Sequence, residues 1–161
     1  MKQRWVRIGT ALSGSALGGK LYHFVCRPID RVLIPLTNGR LAMGPPGQTV
    51  LISMTGAKSG RRRQAVVAFQ WEGDEMVIIA SKGGSPKHPA WYHNLRAHPD
   101  VTVQYRGVRE ARVAREAPAD QRDRLYDRMA AEFSTFAAYQ ERAGSRRIPV
   151  MLLGRPRDRL P

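Results

Sequence analysis

The chain has 161 residues, of which 42% are hydrophobic and 25% are charged. This composition excludes global disorder, and the length favours one domain with a real core. Its 27 Lys and Arg against 13 Asp and Glu give a net charge of +14, which would concentrate anions such as nucleic acid, an acidic membrane surface or a small phosphorylated or carboxylated ligand. The single cysteine, Cys26, excludes an intrachain disulfide framework and favours a reducing compartment.

Residues 1–36 are predicted to form a basic N-terminal extension with amphipathic helical spacing. Trp5, Ile8 and Leu12 are spaced for one helix face. A basic amphipathic helix lies on an anionic membrane or packs on its own domain, and the pattern leaves both possibilities open. No apolar stretch approaches the roughly 20 residues needed to span a bilayer, and Gly and Ser interrupt the only run that resembles an export signal.

Residues 37–161 are predicted to form one mainly β domain. A loop rich in Gly and Pro at 37–48 comes first. Short apolar segments of the kind that form strands follow at 49–54, 65–71, 75–81, 101–105, 108–116 and 148–154. Turns at 72–74 and 106–107 join four of them into two hairpins.

Helices are predicted at two places between the strands. Residues 90–98 can form a short helix that ends at Pro99, and the segment from Pro118 to about Arg142 has the strongest helical periodicity. Antiparallel hairpins with few crossovers favour a barrel or a sandwich over a doubly wound sheet, and the pattern does not choose between the first two.

The sequence "TGAKSGRRR" at 55–63 is the most basic turn in the chain. It is not a P-loop, because Ala57 precedes the lysine and Ile52 occupies the position of the earlier glycine. Gly56 and Gly60 would allow backbone N–H groups to approach an anion, and Lys58, Ser59 and the arginines would add donors and charge. A phosphate site and a solvated basic turn are both consistent with this motif.

A second loop, "SKGGSPKHP" at 81–89, also follows a strand and also offers Gly, Ser and Lys. It leads into Trp91 and Tyr92 at the start of the predicted helix, where aromatic side chains can cover a flat ring and the helix N-terminus attracts anions. Together the two loops predict a site for a flat, anionic cofactor. No metal site and no acid, base or nucleophile pattern is predicted, so the cofactor would supply the chemistry.

The sequence resembles the deazaflavin-dependent nitroreductase family of actinobacteria over roughly residues 40–154. The motifs T-G-x-K-S-G and S-K-G-G-x-P-K-H-P-x-W-Y-x-N-L, in this order and spacing, carry the resemblance. It implies an α+β, mainly β fold: a six-stranded antiparallel split β-barrel with flanking helices, similar to the oxidases of pyridoxamine phosphate that bind flavin mononucleotide. It also implies coenzyme F420 as cofactor, and a hydride transfer from F420H2 to a quinone, an enone or a nitroaromatic compound.

The resemblance also implies a set of site residues. Ala57, Lys58, Ser59 and Arg63 would hold the cofactor's phosphate and tail. The following strand would run beside the deazaflavin with Gln64, Ala65, Val66, Val67 and Ala68. The ring would be lined by Ile79, Ala80, Ser81 and Lys82, and the pocket closed by Ala90, Trp91, Tyr92, His93 and Asn94. Phe136 and Tyr139 would lie in the substrate pocket.

Two positions depart from members of that family. Phe136 and Ala68 stand where some members have tyrosines, so fewer hydroxyl groups would be available to the acceptor, and we expect weak reduction of nitroimidazoles. The expected partner is a small-molecule hydride acceptor, with no nucleic acid, and the expected location is the cytoplasm. Peripheral membrane contact through the N-terminal segment stays open, as does packing of that segment on its own domain. The alternatives are a basic barrel that binds nucleic acid, and the same fold with flavin mononucleotide or haem.

Overall fold

The computed structural model describes residues 27–37, 39–43 and 47–156. Most of the predicted N-terminal extension, including Cys26, lies outside these residues. The helices are α1 (Arg27–Leu36), α2 (Ala90–Ala97), α3 (Ala119–Glu132) and α4 (Thr135–Arg142), with a 3-10 turn at Lys82–Gly84. The strands are β1 (Thr49–Thr55), β2 (Arg62–Ala68), β3 (Gln70–Glu72), β4 (Glu75–Ile79), β5 (Asp100–Tyr105), β6 (Val108–Glu116) and β7 (Val150–Gly154).

All strand pairs in the sheet are antiparallel, in the order β2-β1-β5-β6-β7-β4-β3. The two ends of this order, β2 and β3, are separated in the chain by Phe69 alone. The sheet must therefore curl until its ends meet at Phe69, which makes an incompletely closed barrel. The mainly β, split-barrel prediction is confirmed.

The prediction of six strands is wrong, because the residues that the structure describes form seven. Residues 65–71 were expected to form one strand, but the chain leaves the edge of β1 after Ala68 and joins the edge of β4 at Gln70. Phe69 is buried at the bend, and its N–H donates to the carbonyl of Gln48. An apolar run has the same pattern whether or not it changes partner, so periodicity could not show this bend.

The predicted single helix at 118–142 is also wrong, since α3 and α4 are separate helices. The helix is interrupted at Phe133, whose φ of −118° and ψ of 89° are not helical. Phe133, Ser134 and Thr135 are weak helix formers, so little local stability is lost there. The Tyr126 hydroxyl of α3 donates a hydrogen bond of 2.6 Å to the Phe136 carbonyl of α4, which connects the two helices.

Three apolar clusters hold the elements together. The barrel interior contains alternate residues of the strands, among them Ile52, Val103 and Met151. A second cluster packs α3 and α4 on the outer face of β4 and β7. In the third, Ile34 of α1 covers Leu51 and Val66 on the outer face of β1 and β2.

None of the described helices is long and apolar enough to cross a membrane.

Candidate functional site

The site begins at a gap in the barrel wall between β2 and β4. Within the described part of the chain, β2 pairs only with β1, and β3 covers β4 only as far as Val77. The edge of β2 and the last part of β4 therefore face each other without pairing as strands. They diverge from the bend at Phe69, and the mouth of the gap lies between the turn at 56–61 and the loop at 81–88. We call these segments the basic turn and the glycine loop.

The side chains of β2 point mostly away from this gap. Ala65 and Val67 face the barrel interior, and α1 covers Val66. Gln64 donates to Ser53 on the outer face, 3.3 Å away. Ala68 packs beside the cluster under α3 and α4. What β2 presents to the gap is its unpaired backbone edge, an available row of donors and acceptors.

The basic turn is tight and exposes its polar groups. The Gly56 N–H donates to the Arg61 carbonyl and the Gly60 N–H to the Gly56 carbonyl, both at 2.9 Å. A Cβ at Gly56 would lie 2.7 Å from Ser59 Oγ and 3.2 Å from the Arg61 carbonyl oxygen, so a larger residue here would require Ser59 to change its side-chain position. Ala57, Lys58 and Ser59 are exposed at the tip, where they are free to meet a ligand.

The three consecutive arginines, Arg61 at the end of the basic turn and Arg62 and Arg63 at the start of β2, lie in different environments. Arg62 donates to Ser53 Oγ at 3.2 Å on the outer face of the sheet. Arg63 pairs with Met54 in the ladder, and its Cγ would lie 3.3 Å from a Cβ on Gly56, so it packs against the turn. Arg61 is exposed. Of the three, Arg63 lies on the strand face that continues into the barrel interior.

A hydrogen bond joins the basic turn to α2. The Ala57 N–H donates to Asn94 Oδ1 at 2.9 Å, across 37 residues of sequence. The two motifs that the sequence analysis combined are thus in direct contact. Asn94 was predicted to close the pocket, and the structure places its side chain in contact with the basic turn.

The other predicted residues of α2 lie in different environments. Tyr92 is buried, and its hydroxyl donates to Glu116 at 2.9 Å; burial is the main cause that raises the pKa of Tyr92. Trp91 is half-buried against the barrel core, while Ala90 and His93 are exposed. The Tyr92 side chain is therefore built into the core, and the exposed part of α2 near the mouth is its first turn.

The glycine loop has an unusual backbone. Lys82, Gly83 and Gly84 have φ values of 49°, 65° and 79°, in the left-handed region. At Gly84 a Cβ would lie 2.7 Å from the Tyr139 carbonyl oxygen, so α4 sits directly on this glycine. Ile79 and Ala80 are buried and Ser81 nearly so, whereas the Lys82 side chain is exposed beside the mouth.

Sequence reasoning missed Arg146. Its guanidinium donates to the carbonyls of Ala80, Ser81 and Ser85 at 3.1, 2.7 and 2.8 Å, and lies 3.1 Å from His88 Nδ1. Burial and then the Arg146 charge lower the pKa of His88, which suits a neutral ring that accepts at Nδ1. An arginine within a basic pair, in a chain with 27 Lys and Arg, carries no sequence signal for this role.

Aromatic side chains of α4 form the wall beside the glycine loop. Phe136 is buried and its ring meets that of Tyr139 edge to face, with centroids 5.6 Å apart. Tyr139 is half-buried, and Arg142 lies 5.6 Å over its ring. Burial raises the pKa of Tyr126, behind Phe136, to about 12. The wall is apolar except for the Tyr139 hydroxyl.

Taken together, the mouth has exposed cations and amides on one side and an aromatic wall on the other. Such a site can hold a flat anionic molecule by its charged end. The described residues contain no group of three or more His, Cys, Asp or Glu side chains able to hold a metal ion.

The chain is also similar to known proteins. Residues 34–155 match the family model described as F420H(2)-dependent quinone reductase. A protein of Mycobacterium tuberculosis named F420H(2)-dependent quinone reductase is 37% identical over 126 residues, which are 74% of this chain and 83% of that protein.

Two solved structures are also similar. One, described as an F420-H2 dependent reductase, is 36% identical with a TM-score of 0.60, over 66% of this chain and 93% of that one. The other, described as a domain-swapped dimer, is 33% identical with a TM-score of 0.63, over 78% of this chain and 93% of that one.

Proposed function

The chain belongs to the F420H(2)-dependent quinone reductase family and is an F420H2-dependent oxidoreductase, and from this we propose that it reduces a quinone beside the gap between β2 and β4. The resemblance seen in the sequence is confirmed, and with it the cofactor.

The observation that carries the proposed site is the contact between its two halves. The Ala57–Asn94 hydrogen bond holds the basic turn against α2, and the His88 ring, with its centroid 4.6 Å from that of Tyr92, holds the glycine loop against the same helix. The charged and the aromatic parts of the site are therefore fixed relative to one another, as one rigid ligand requires.

We assign the charged end of F420 to the basic turn. Lys58, Ser59 and Arg63, with the amides of the turn, would hold phosphate and carboxylate groups by charge-assisted hydrogen bonds. The unpaired edge of β2 over Gln64–Ala68 would lie along the cofactor. The segment from Ile79 to Lys82 would line the ring, and Ala90–Asn94 would close the site.

The chain's own contribution to the reaction is orientation, exclusion of water and supply of a proton. When bound, F420H2 supplies the hydride from its central ring. The buried wall of α4 excludes water from that side, and the fixed mouth holds the acceptor in reach. A quinone that accepts hydride also needs a proton, for which the Tyr139 hydroxyl or solvent is the source.

The wall favours an apolar acceptor. Phe136 carries no hydroxyl group, and Ala68 offers only a methyl group beside the same cluster. Neither can donate to a nitro group, so we expect weak turnover of nitroimidazoles and better turnover of quinones. Steady-state rates with purified enzyme and F420H2 test this, and robust nitroimidazole reduction would contradict it.

The assigned cofactor site is tested by fluorescence titration with F420, flavin mononucleotide and a random oligonucleotide. We expect F420 to bind, and Lys58→Ala to weaken it about ten-fold or more, since a charge-assisted contact is worth ~1.5–3 kcal/mol. Arg61→Ala is the matched control on the same turn and should change the dissociation constant by less than roughly two-fold. Binding of the oligonucleotide alone would overturn the assignment.

We further propose that the outer face of α1 contacts an anionic membrane, where lipophilic quinones reside. Ile29, Val32 and Leu36 form an exposed apolar stripe with 43%, 61% and 79% of their surface accessible. The one acid of this helix, Asp30, is buried and accepts from the Met43 N–H. An apolar stripe in a basic segment without an exposed acid suits anionic lipid.

Sedimentation with vesicles tests this contact. The protein should sediment with phosphatidylglycerol vesicles and not with phosphatidylcholine, and Val32→Glu should reduce the bound fraction. Val108→Glu, at an exposed apolar residue on β6, is the control and should leave sedimentation unchanged. Equal loss in both variants, or no sedimentation of the wild type, would exclude the α1 face.

A further inference from the structure

Within the described part of the chain, the Arg146 guanidinium makes its hydrogen bonds to the glycine loop and to Ala80 just before it. Three of its nitrogen atoms reach the carbonyls of Ala80, Ser81 and Ser85, and one of them also lies 3.1 Å from the His88 ring. The guanidinium is a planar fork of five donors, so it can serve several acceptors at once where an ammonium group cannot. The Arg146 guanidinium therefore contacts the glycine loop from its first residues to His88 at its end.

The contacts determine which way the peptide groups of the loop point. In a trans peptide the C=O and the following N–H point in opposite directions. Because the Ala80 and Ser81 carbonyls turn towards Arg146, the N–H groups of Ser81 and Lys82 turn away from it. Ala80 also donates to the Pro149 carbonyl on the β7 side, so the Ser81 N–H points towards the unpaired edge of β4, at the gap.

The loop would not hold this shape by local preference alone. Lys82 has a φ of 49°, and a residue with a side chain in the left-handed region costs about 1 kcal/mol or more. Such a conformation persists only where the surroundings impose it. Arg146 on one side and α4 against Gly84 on the other provide that constraint.

Arg146 is itself held in place. The Gln140 side chain donates to the Arg146 carbonyl at 2.9 Å, and Gln140 accepts from Arg122 at 2.7 Å. Burial lowers the pKa of Arg146, but the group stays charged at neutral pH because its ordinary pKa is so high. Gln140 of α4 holds the Arg146 backbone, and the carbonyls of the glycine loop hold its guanidinium. Arg146 therefore connects α4 rigidly to the glycine loop.

We propose that Arg146 is a positioning residue for the cofactor: it sets the glycine loop so that the Ser81 and Lys82 amides face the gap and donate to bound F420. This inference rests on the proposed function. It assigns to Arg146 no contact with substrate, cofactor or reacting atoms.

The test compares Arg146→Lys with Arg147→Lys. Arg147 is the neighbouring exposed arginine, which pairs with Asp123 at 2.8 Å, and it serves as the matched control. Arg146→Lys keeps the charge and loses the fork, so we expect the F420 dissociation constant and the KM for F420H2 to rise about ten-fold. The KM for the quinone should change by less than roughly two-fold, and Arg147→Lys should match the wild type in every measurement.

A second measurement uses the protein without cofactor, and keeps the idea testable if Arg146→Lys unfolds. In Arg146→Gln the positive charge beside His88 is lost, so the His88 pKa, followed by NMR, should rise. Faster hydrogen exchange at Gly84 and Ser85, which bond back within the loop, should accompany it.

An unchanged F420 affinity in a folded Arg146→Lys, or an unchanged His88 pKa in Arg146→Gln, would overturn the inference. Failure of the wild type to bind F420 would instead overturn the proposed function.

Discussion

Gly84 is the point at which α4 presses on the glycine loop, and Gly84→Ala tests that contact. An alanine Cβ would lie 2.7 Å from the Tyr139 carbonyl oxygen and 2.7 Å from Arg142 Cβ. The carbonyl oxygen is backbone in a helix and cannot move aside alone. The φ of 79° adds a left-handed penalty. The helix and the loop must therefore separate by several tenths of an ångström.

Gly83→Ala provides the matched comparison, because Gly83 also has a positive φ, 65°, but its Cβ would meet nothing within 4 Å. It should cost about 1.5 kcal/mol for the left-handed residue alone. Gly84→Ala should cost about 3.5 kcal/mol, since overpacking adds ~2 kcal/mol. For a chain of this size these losses correspond to falls in Tm of about 4 °C and about 10 °C.

The assay is thermal unfolding of the two variants and the wild type by circular dichroism, together with F420 titration at 25 °C. We expect Gly84→Ala also to bind F420 more weakly than Gly83→Ala, because its strain falls between the glycine loop and Tyr139. Equal Tm values for the two variants would show that α4 does not rest on Gly84, and would refute the packing argument.

Two further predictions concern hydrogen bonds behind the site. Asn94→Ala removes the acceptor of the Ala57 N–H. The bond is worth ~1 kcal/mol, so Tm should fall by only about 3 °C while F420 binds several-fold more weakly. Unchanged affinity in a titration would contradict the link between the basic turn and α2. Burial raises the pKa of Tyr126 from 10.0 to about 12, so its contribution to stability is complete below pH 10 and is lost as the pH rises towards 12. Tyr126→Phe removes this hydroxyl donor to the Phe136 carbonyl, so we expect stability at pH 7 to fall by about 0.5–1.5 kcal/mol and to decline less steeply above pH 10. Denaturant unfolding at pH 7 and above pH 10 checks this, and an equally steep alkaline decline would contradict it.

Several features could be predicted from the sequence because they depend on neighbours in the chain. The hairpin about 72–74 and the helix that follows Pro89 depend on local turn residues and periodicity, and the structure has both. The basic turn after β1 depends on Gly60, whose φ of 63° lies in the left-handed region that favours glycine. The shared composition of the two loops predicted that they lie together, and the Ala57–Asn94 hydrogen bond brings the basic turn against the helix that follows the second loop.

Other features depend on contacts that no local pattern records. The bend at Phe69 divides an apolar run between two edges of the sheet, and the break at Phe133 divides a helix that continuous periodicity had joined. The side chains of β2 are another example. The alternation of residues along this strand showed that it has two faces, but it did not show that α1 covers Val66 on the outer face. What β2 offers the gap is its backbone, which depends on where the pairing ends.

The sequence alone thus determined the charge, the two loops, the strand-rich class and the family resemblance, because each depends on residue types at fixed spacing. Only the tertiary structure decided that Asn94 holds Ala57 and that Arg146 holds Ala80, Ser81 and Ser85. These bonds join residues 37 to 66 positions apart. They form because the curled sheet brings distant segments together, and the energy that selects them is the burial of the whole core rather than any local preference.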